Sequence, residues 1–259
     1  MEIQFAKYQG TGNDFVIIDN RDGSIVLSNQ QIAFLCDRKF GVGSDGLIML
    51  GTASNYDFSM AYYNADGTEG TMCGNGGRCL VAFAKKLNII ENKASFMAID
   101  GLHHATISED NSVSLQMKDV DSIKSEINYT FLNTGSPHHI EMVSTISKVE
   151  VKTEGAAIRY GTLYGSAGAN VNFVEQIYED TFSIRTYERG VEDETLSCGT
   201  GATAVAIAMN FIGKTNSNSI KINVQGGKLE VSFDKNDSLY SNVILKGPAT
   251  FVFQGKINI

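Results

Sequence analysis

Two cysteines of the chain share one setting. Cys73 opens the stretch CGNGG and Cys198 the stretch CGTGA, and each leads into a run of small and apolar residues. A cysteine just ahead of a helix sits at the positive end of the helix dipole, which lowers a thiol pKa from ~8.5 toward ~3.5–7.5. The glycines that follow let another molecule approach the backbone. The N–H groups of a first helical turn have no intrahelical partner and form a natural anion site. Each motif thus joins an activated thiol to half of a carboxylate cradle. One such cysteine alone would read as a small buried hydrophobe. Cys36 and Cys79 have no such setting, and Cys79, inside the helix that Cys73 opens, reads as core.

The motif recurs with its surroundings. TMCGNGGRCLVAFA (71–84) matches LSCGTGATAVAIA (196–208), and each follows an acidic loop, NADGTEGT (64–71) and ERGVEDET (188–195). Strand, acidic loop, Cys-Gly-x-Gly and buried helix therefore occur twice, roughly half a chain apart, which signals duplication of a whole domain. If the copies face each other, a carboxylate held between two helix N-termini has one sulfur on each side of its α-carbon. A thiolate then removes the α-proton and a thiol protonates the opposite face, inverting the centre with no cofactor. Oriented N–H donors would stabilise the charge that develops on the carboxylate.

The elements that must position these residues are legible in outline. Helices are expected over 29–39, 75–87 and 200–212, the last apolar all round and hence buried on all sides. Period-two apolar spacing marks strands at Ile3 and Phe5, Phe15 to Ile18, Phe58 to Tyr62, Val113 to Met117, Val171 to Ile177 and Phe182 to Thr186. It continues at Ile222-Val224, Leu229-Phe233, Val243-Leu245 and Phe251-Phe253. The expected fold class is α+β: two pseudo-symmetric domains, each a mostly antiparallel sheet or barrel around a central helix. The first domain covers 1–120 and is completed by 250–259; the second covers 121–249.

Composition excludes several function classes. The net charge of −8, with no basic stripe, argues against nucleic acid and anionic membranes. No run approaches the ~18 apolar residues of a spanning helix, and the N-terminus does not read as a signal peptide, so a cytoplasmic protein is expected. There is no Cys-x-x-Cys pair, and His103-His104 and His138-His139 are adjacent residues that a strand would point apart, so no metal is expected.

GTGNDFVIID (10–19), RKFGVGSDGL (38–47), NADGTE (64–69), MCGNGGRC (72–79), TGSPHH (134–139), ANVNFVE (169–175) and YERGVEDETLSCGTGA (187–202) resemble the diaminopimelate epimerase family in order and spacing. The resemblance implies two pseudo-symmetric domains and interconversion of LL- and meso-diaminopimelate without pyridoxal phosphate or metal, on the route to lysine and cell-wall peptide. It implies that Cys73 and Cys198 form the acid–base pair and that Gly74, Asn75, Gly199 and Thr200 hold the reacting carboxylate. Asn13, Asn64, Asn170, Glu188 and Arg189 would bind the remaining groups, with Arg189 and the asparagines on the distal carboxylate and Glu188 on an ammonium. A homodimer fits the family.

Other readings of these residues stay open: the asparagines as turn or cap residues, Arg189 as a surface ion pair, and His138 as either a modulator of a thiol or a structural histidine. Ser136 stands where the family commonly has Asn, and Gly46 where some members have Gln. Two rival functions remain on the same residues: racemisation of another amino acid such as proline or hydroxyproline, and metabolite binding without catalysis.

Overall fold

Apolar residues at alternate positions become the inward faces of strands, and the two cysteine-led runs become helices. The computed structural model describes residues 1–259. The chain divides into two units, residues 1–115 with 247–259, and residues 116–246. The sequence placed the division within 118–124 and near 250. The two changes of unit, at 115/116 and 246/247, each fall inside a strand.

In the first unit the elements are β1 (Glu2–Gly10), β2 (Asn13–Asp19), α1 (Asn29–Cys36), β3 (Gly46–Gly51), β4 (Phe58–Asn64), α2 (Gly74–Lys86), β5 (Lys93–Ala98), β6 (Gly101–Ile107) and β7 (Ser112–Gln116). The second unit has β8 (Ile123–Ser125), β9 (Thr130–Asn133), β10 (Pro137–Met142), α3 (Val151–Arg159), β11 (Asn170–Tyr178), β12 (Thr181–Glu188), β13 (Asp193–Thr195), α4 (Gly199–Phe211), β14 (Ser219–Val224), β15 (Gly227–Asn236) and β16 (Leu239–Pro248). The last strand, β17 (Thr250–Asn258), pairs with β1 and belongs to the first unit.

Pairing order repeats strand for strand. The first unit runs β17-β1-β2-β3-β4-β5-β6-β7, with β2–β3 and β4–β5 parallel and the rest antiparallel. The second runs β8-β9-β10-β11-β12-β14-β15-β16, with β10–β11 and β12–β14 parallel at the corresponding places. A parallel pair needs a crossover, and the four helices supply the four crossovers. The sheets are thus mostly antiparallel, with two parallel pairs each.

Helix α2 is buried at every residue from Gly74 to Ala84 and packs on β1, β2, β3, β4, β6 and β17. Helix α4 is buried at Gly199 and from Gly201 to Asn210, and packs on β9, β10, β11, β14 and β15. Both end alike. Asn88 (φ 57°) and Gly213 (φ 72°) take the left-handed conformation at the same distance from their cysteines, and the next N–H caps an earlier carbonyl, Ile89 to Ala84 and Lys214 to Met209.

Helix α1 is shorter than its apolar spacing predicts. Asp37 leaves helical geometry, and its carboxylate accepts from the backbone N–H groups of Lys39 (2.7 Å) and Phe40 (2.8 Å), which ends the helix at Cys36. Helix α3 was not anticipated. Gly155 lies at its middle, where a helix-weakening residue is needed because a Cβ there would come within 2.4 Å of Tyr187 Cβ. No helix is long and apolar enough to cross a membrane.

Candidate active site

Cys73 is the N-cap of α2, with extended backbone (φ −103°, ψ 120°), and its carbonyl accepts the first helical bond, from Gly77 at 2.7 Å. Its sulfur lies 3.7 Å from Asn13 Oδ1, which also accepts from Asn75 Nδ2 at 3.1 Å. Asn13 in turn donates to Asp45 Oδ2 at 2.8 Å. Behind it sits a charge cluster that ties the start of β2 to the loop before β3. Asp14 takes Lys7 at 2.6 Å and Arg38 at 2.7 Å, and Arg38 also reaches Asp45 at 2.8 Å. Burial alone would raise the Asp14 carboxyl, but hydrogen bonds from Arg38 and Lys7, and their charges, bring it down to about 2. Lys7 also donates to the Gly43 carbonyl.

Asn64 ends β4 in the acidic loop. Its backbone N–H donates to Thr68 O (2.9 Å) and its amide to Thr68 Oγ1 (3.2 Å), and its side chain is exposed. Gly46 lies opposite it in the β3–β4 register. A Cβ at Gly46 would come within 2.6 Å of Tyr62 Cε2, so the Tyr62 ring occupies the space a side chain would need.

Cys198 is the equivalent N-cap of α4 (φ −123°, ψ 111°), accepting from Ala202 N at 2.9 Å. Its sulfur is 3.5 Å from Thr200 Oγ1, which is 3.0 Å from His138 Nε2. Asn172 Nδ2 lies 3.1 Å from His138 Nδ1 and 3.0 Å from the His139 carbonyl. A carbonyl only accepts, so the amide nitrogen faces it and therefore also donates to His138 Nδ1. The ring proton then resides on Nε2 and is donated to Thr200, whose hydroxyl proton is left for the Cys198 sulfur. Burial, reinforced by Arg189, pushes His138 down to about 3, so the ring is neutral and this direction holds near pH 7. Thr186 Oγ1 donates to Asn172 Oδ1 at 3.0 Å, and Thr134 Oγ1 to the Thr200 carbonyl at 2.9 Å.

The fourth residue of the motif, Gly201, must be small. A Cβ on Gly201 would lie 2.6 Å from Asn172 Oδ1 and 3.4 Å from Cys198 Sγ. Glycine there lets α4 seat on β11 with the thiol exposed to its first turn.

Asn170 is buried, and both ends of its amide are engaged. Nδ2 donates to Ser136 Oγ (2.9 Å) and the Pro137 carbonyl (3.2 Å), while Oδ1 accepts from the Arg189 backbone N–H (2.8 Å). It therefore orders the backbone that presents Arg189, and the shorter Ser136 side chain is held by it. Arg189 is exposed and donates through Nη1 to the Ala167 carbonyl at 3.1 Å. Glu188, at the end of β12, accepts from Thr195 Oγ1 at 3.0 Å.

The structure thus gathers Asn13, Cys73, Gly74 and Asn75 at one helix start, and His138, Cys198, Gly199 and Thr200 at the other. Asn170 and Arg189 form a further pair in the second unit. Sequence reasoning missed Asn172 and Asp45, which hold His138 and Asn13. Asn172 carried a usable signal, a polar residue set between Val171 and Phe173 in the buried part of its strand. Asp45 lies far from Asn13 in sequence and carried none.

Two like α+β units, each with a thiol at the N-terminus of its central helix, define a class of duplicated folds. A PhzF-family phenazine biosynthesis protein from Bacillus anthracis superposes with a TM-score of 0.78 at 14% identity, covering 100% of both chains. A hydroxyproline epimerase from Agrobacterium vitis superposes with a TM-score of 0.72 at 14% identity, over 99% of this chain and 92% of the other. These likenesses concern the fold alone. The diaminopimelate epimerase family model matches residues 5–123 and 130–252. A diaminopimelate epimerase of Flavobacterium psychrophilum is 64% identical over 97% of this chain and 98% of its own length. The chain belongs to the diaminopimelate epimerase family.

Proposed function

We propose that the protein is an isomerase that interconverts LL- and meso-2,6-diaminopimelate, supplying lysine and peptidoglycan precursors, by a two-base exchange between Cys73 and Cys198. One thiolate takes the α-proton as the C–H bond breaks, and the electron pair passes into the carboxylate. The other thiol gives its proton to the opposite face, and the sulfurs exchange protonation states. No redox change and no cofactor enter the balance. Gly74, Asn75, Gly199 and Thr200 hold the reacting carboxylate at the two helix starts, where N–H donors stabilise the developing charge. His138 supports Cys198 through Thr200. Asn13 supports Cys73. Asn64 and Arg189 recognise the distal carboxylate, whose two oxygens suit the planar guanidinium, Asn170 orders the backbone that presents Arg189, and Glu188 takes an ammonium.

The observation that carries this reading is the recurrence of the same thiol, as N-cap of the same buried helix, in both copies of one fold. Its test is exchange in deuterated solvent. With reduced protein and LL-diaminopimelate, α-deuterium should accumulate with formation of the meso isomer. No exchange sinks the catalytic reading, and exchange into proline or hydroxyproline in preference to diaminopimelate replaces the substrate.

We place the protein in the cytoplasm and propose a homodimer. The support for the dimer is β17, which carries exposed Phe251, Val252 and Phe253 (40%, 51% and 44% accessible). Light scattering that gives a monomer for the wild type at micromolar concentration overturns it.

A further inference from the structure

Arg185 and Arg189 divide their donors alike. Arg185 gives Nη1 to backbone carbonyls, Ile146 at 3.2 Å and Val149 at 2.9 Å, and presents Nε and Nη2 to the Glu194 carboxylate at 2.6 and 2.7 Å. Arg189 likewise gives Nη1 to a backbone carbonyl, Ala167 at 3.1 Å. Its own Nε–Nη2 edge meets no carboxylate of the protein. Such an edge matches the two oxygens of a carboxylate. Holding Nη1 on Ala167 thus leaves Arg189 the edge that Arg185 turns to Glu194.

Ala167 is exposed, so something else must fix its carbonyl. It lies in a turn from Tyr164 to Gly168 that closes by Gly168 N donating to the Tyr164 carbonyl at 3.3 Å, with Gly165 and Gly168 both at φ 59°. At one end of the segment Arg159 packs against Gly168, where a Cβ would lie 1.8 Å from Nη1. Arg159 Nη2 donates to Glu192 Oε1 at 3.2 Å, and the same oxygen accepts from Gly190 N at 3.0 Å. One carboxylate therefore ties the end of α3 to the turn that carries Arg189.

The turn itself is tied to β10. Tyr164 OH lies 2.7 Å from His139 Nδ1, its ring stacks on Phe131 at 5.1 Å, and the His139 ring stacks on Tyr129 at 4.8 Å. His139 is buried and the two-base exchange leaves it without a role. Its Nε2 faces Glu141 Oε2 at 3.7 Å, too far for a hydrogen bond. A carboxylate only accepts, so the ring proton belongs on Nε2, and Nδ1 accepts from the Tyr164 hydroxyl. Burial pushes His139 down to about 4, so the ring is neutral and this bond holds near pH 7.

We infer that Tyr164, latched to His139, is a positioning residue: it fixes the turn whose Ala167 carbonyl holds Nη1, and so keeps the Nε–Nη2 edge of Arg189 set for the distal carboxylate. The inference deepens the proposed function and rests on it for the role of Arg189. It makes residues 164–168 a determinant of specificity for substrates with a second carboxylate.

The first test needs no substrate, so its failure is distinct from failure of the proposed activity. Hydrogen exchange is followed by mass spectrometry on peptides that cover 160–169 and 186–192. In the wild type the Gly168 and Arg189 amides should exchange well below the rate of an unstructured peptide. Tyr164→Phe keeps both ring contacts and deletes one hydroxyl. It should speed exchange in both segments by about two- to tenfold, the worth of one hydrogen bond, and leave α4 unchanged. Peptide-like rates in the wild type, or a change confined to 160–169, overturn the inference, and the wild-type rates decide it even if the variant misfolds. Kinetics then separate positioning from a structural role. Tyr164→Phe should raise KM for diaminopimelate by about two- to tenfold with kcat nearly unchanged, and should add nothing in an Arg189→Ala background. An equal loss in both backgrounds, or a fall in kcat at constant KM, overturns the inference. If Arg189→Ala itself leaves KM unchanged, the proposed role of Arg189 fails and the specificity falls with it, while hydrogen exchange still decides the latch.

Discussion

Replacing Thr200 by Val tests the chain of donors behind Cys198. Valine has the shape of threonine, so packing is retained and one hydroxyl is lost. That hydroxyl accepts from His138 Nε2 at 3.0 Å and lies 3.5 Å from the Cys198 sulfur. Asn172 fixes the ring proton on Nε2, so His138 cannot evade the loss by changing tautomer. A buried N–H left without an acceptor costs about 1–3 kcal/mol. A hydrogen bond to a charged group is worth about 1.5–3 kcal/mol, or about 1–2 pH units at 1.36 kcal/mol per unit. The long sulfur contact puts the expected effect at the lower end. Thr200→Val should therefore lose about 1–3 kcal/mol in urea unfolding and raise the alkylation midpoint of Cys198 by about one unit. Thr200→Ser, which keeps the hydroxyl, should lose little of either. Wild-type stability together with an unmoved Cys198 midpoint would refute the donor chain.

Other consequences are open to measurement. Cys73→Ala and Cys198→Ala should each abolish epimerisation, read by circular dichroism or coupled assay; either variant retaining wild-type turnover removes the two-base scheme. Asp14→Asn should cost about 3–5 kcal/mol in chemical denaturation, because it strands buried Lys7. Asp14 is depressed to about 2 in the fold, so its contribution is present above about 4 and lost as pH falls toward 2; the variant should show a flatter acid limb. Gly201→Ala places a Cβ 2.6 Å from Asn172 Oδ1. It should destabilise by about 1–3 kcal/mol and displace the His138 ring resonances in NMR spectra. Arg189→Ala should raise KM for diaminopimelate far more than it lowers kcat, and an unchanged KM would remove Arg189 from recognition.

The most readable parts of the sequence were those with local periodicity or local chemistry. Helices α2 and α4 follow from small-residue apolar runs behind a Cys-Gly-x-Gly motif, and β12, β15 and β16 from simple alternation. Strand β3 was missed because GLIMLG is buried on both faces and has no alternation to detect. Helix α3 was missed because Gly155 answers to Tyr187, a contact distant in sequence. At the site the thiols could be read directly. Their supports could not, because Asn13 depends on Asp45 and His138 on Asn172 through tertiary contacts. Asn64 illustrates the opposite limit: its turn bonds with Thr68 agree with the simple turn reading, and an exposed side chain can still meet a ligand.

The final strand has a consequence for how the chain could be cut. Met1 and Ile259 hydrogen-bond to each other, Ile259 N to Met1 O at 3.0 Å, as β1 and β17 run antiparallel. Ala249 alone separates β16 from β17. A circular permutant that joins Ile259 to Met1 by a short linker and opens at Ala249 would read β17, β1 to β7, then β8 to β16. In that order each unit is continuous and the gene becomes a tandem of two copies that share eight strands, with β13 as an addition in the second. In the natural order the first unit waits for its edge strand until the second has been synthesised, on the order of ten seconds at typical elongation rates. The permutant removes that wait.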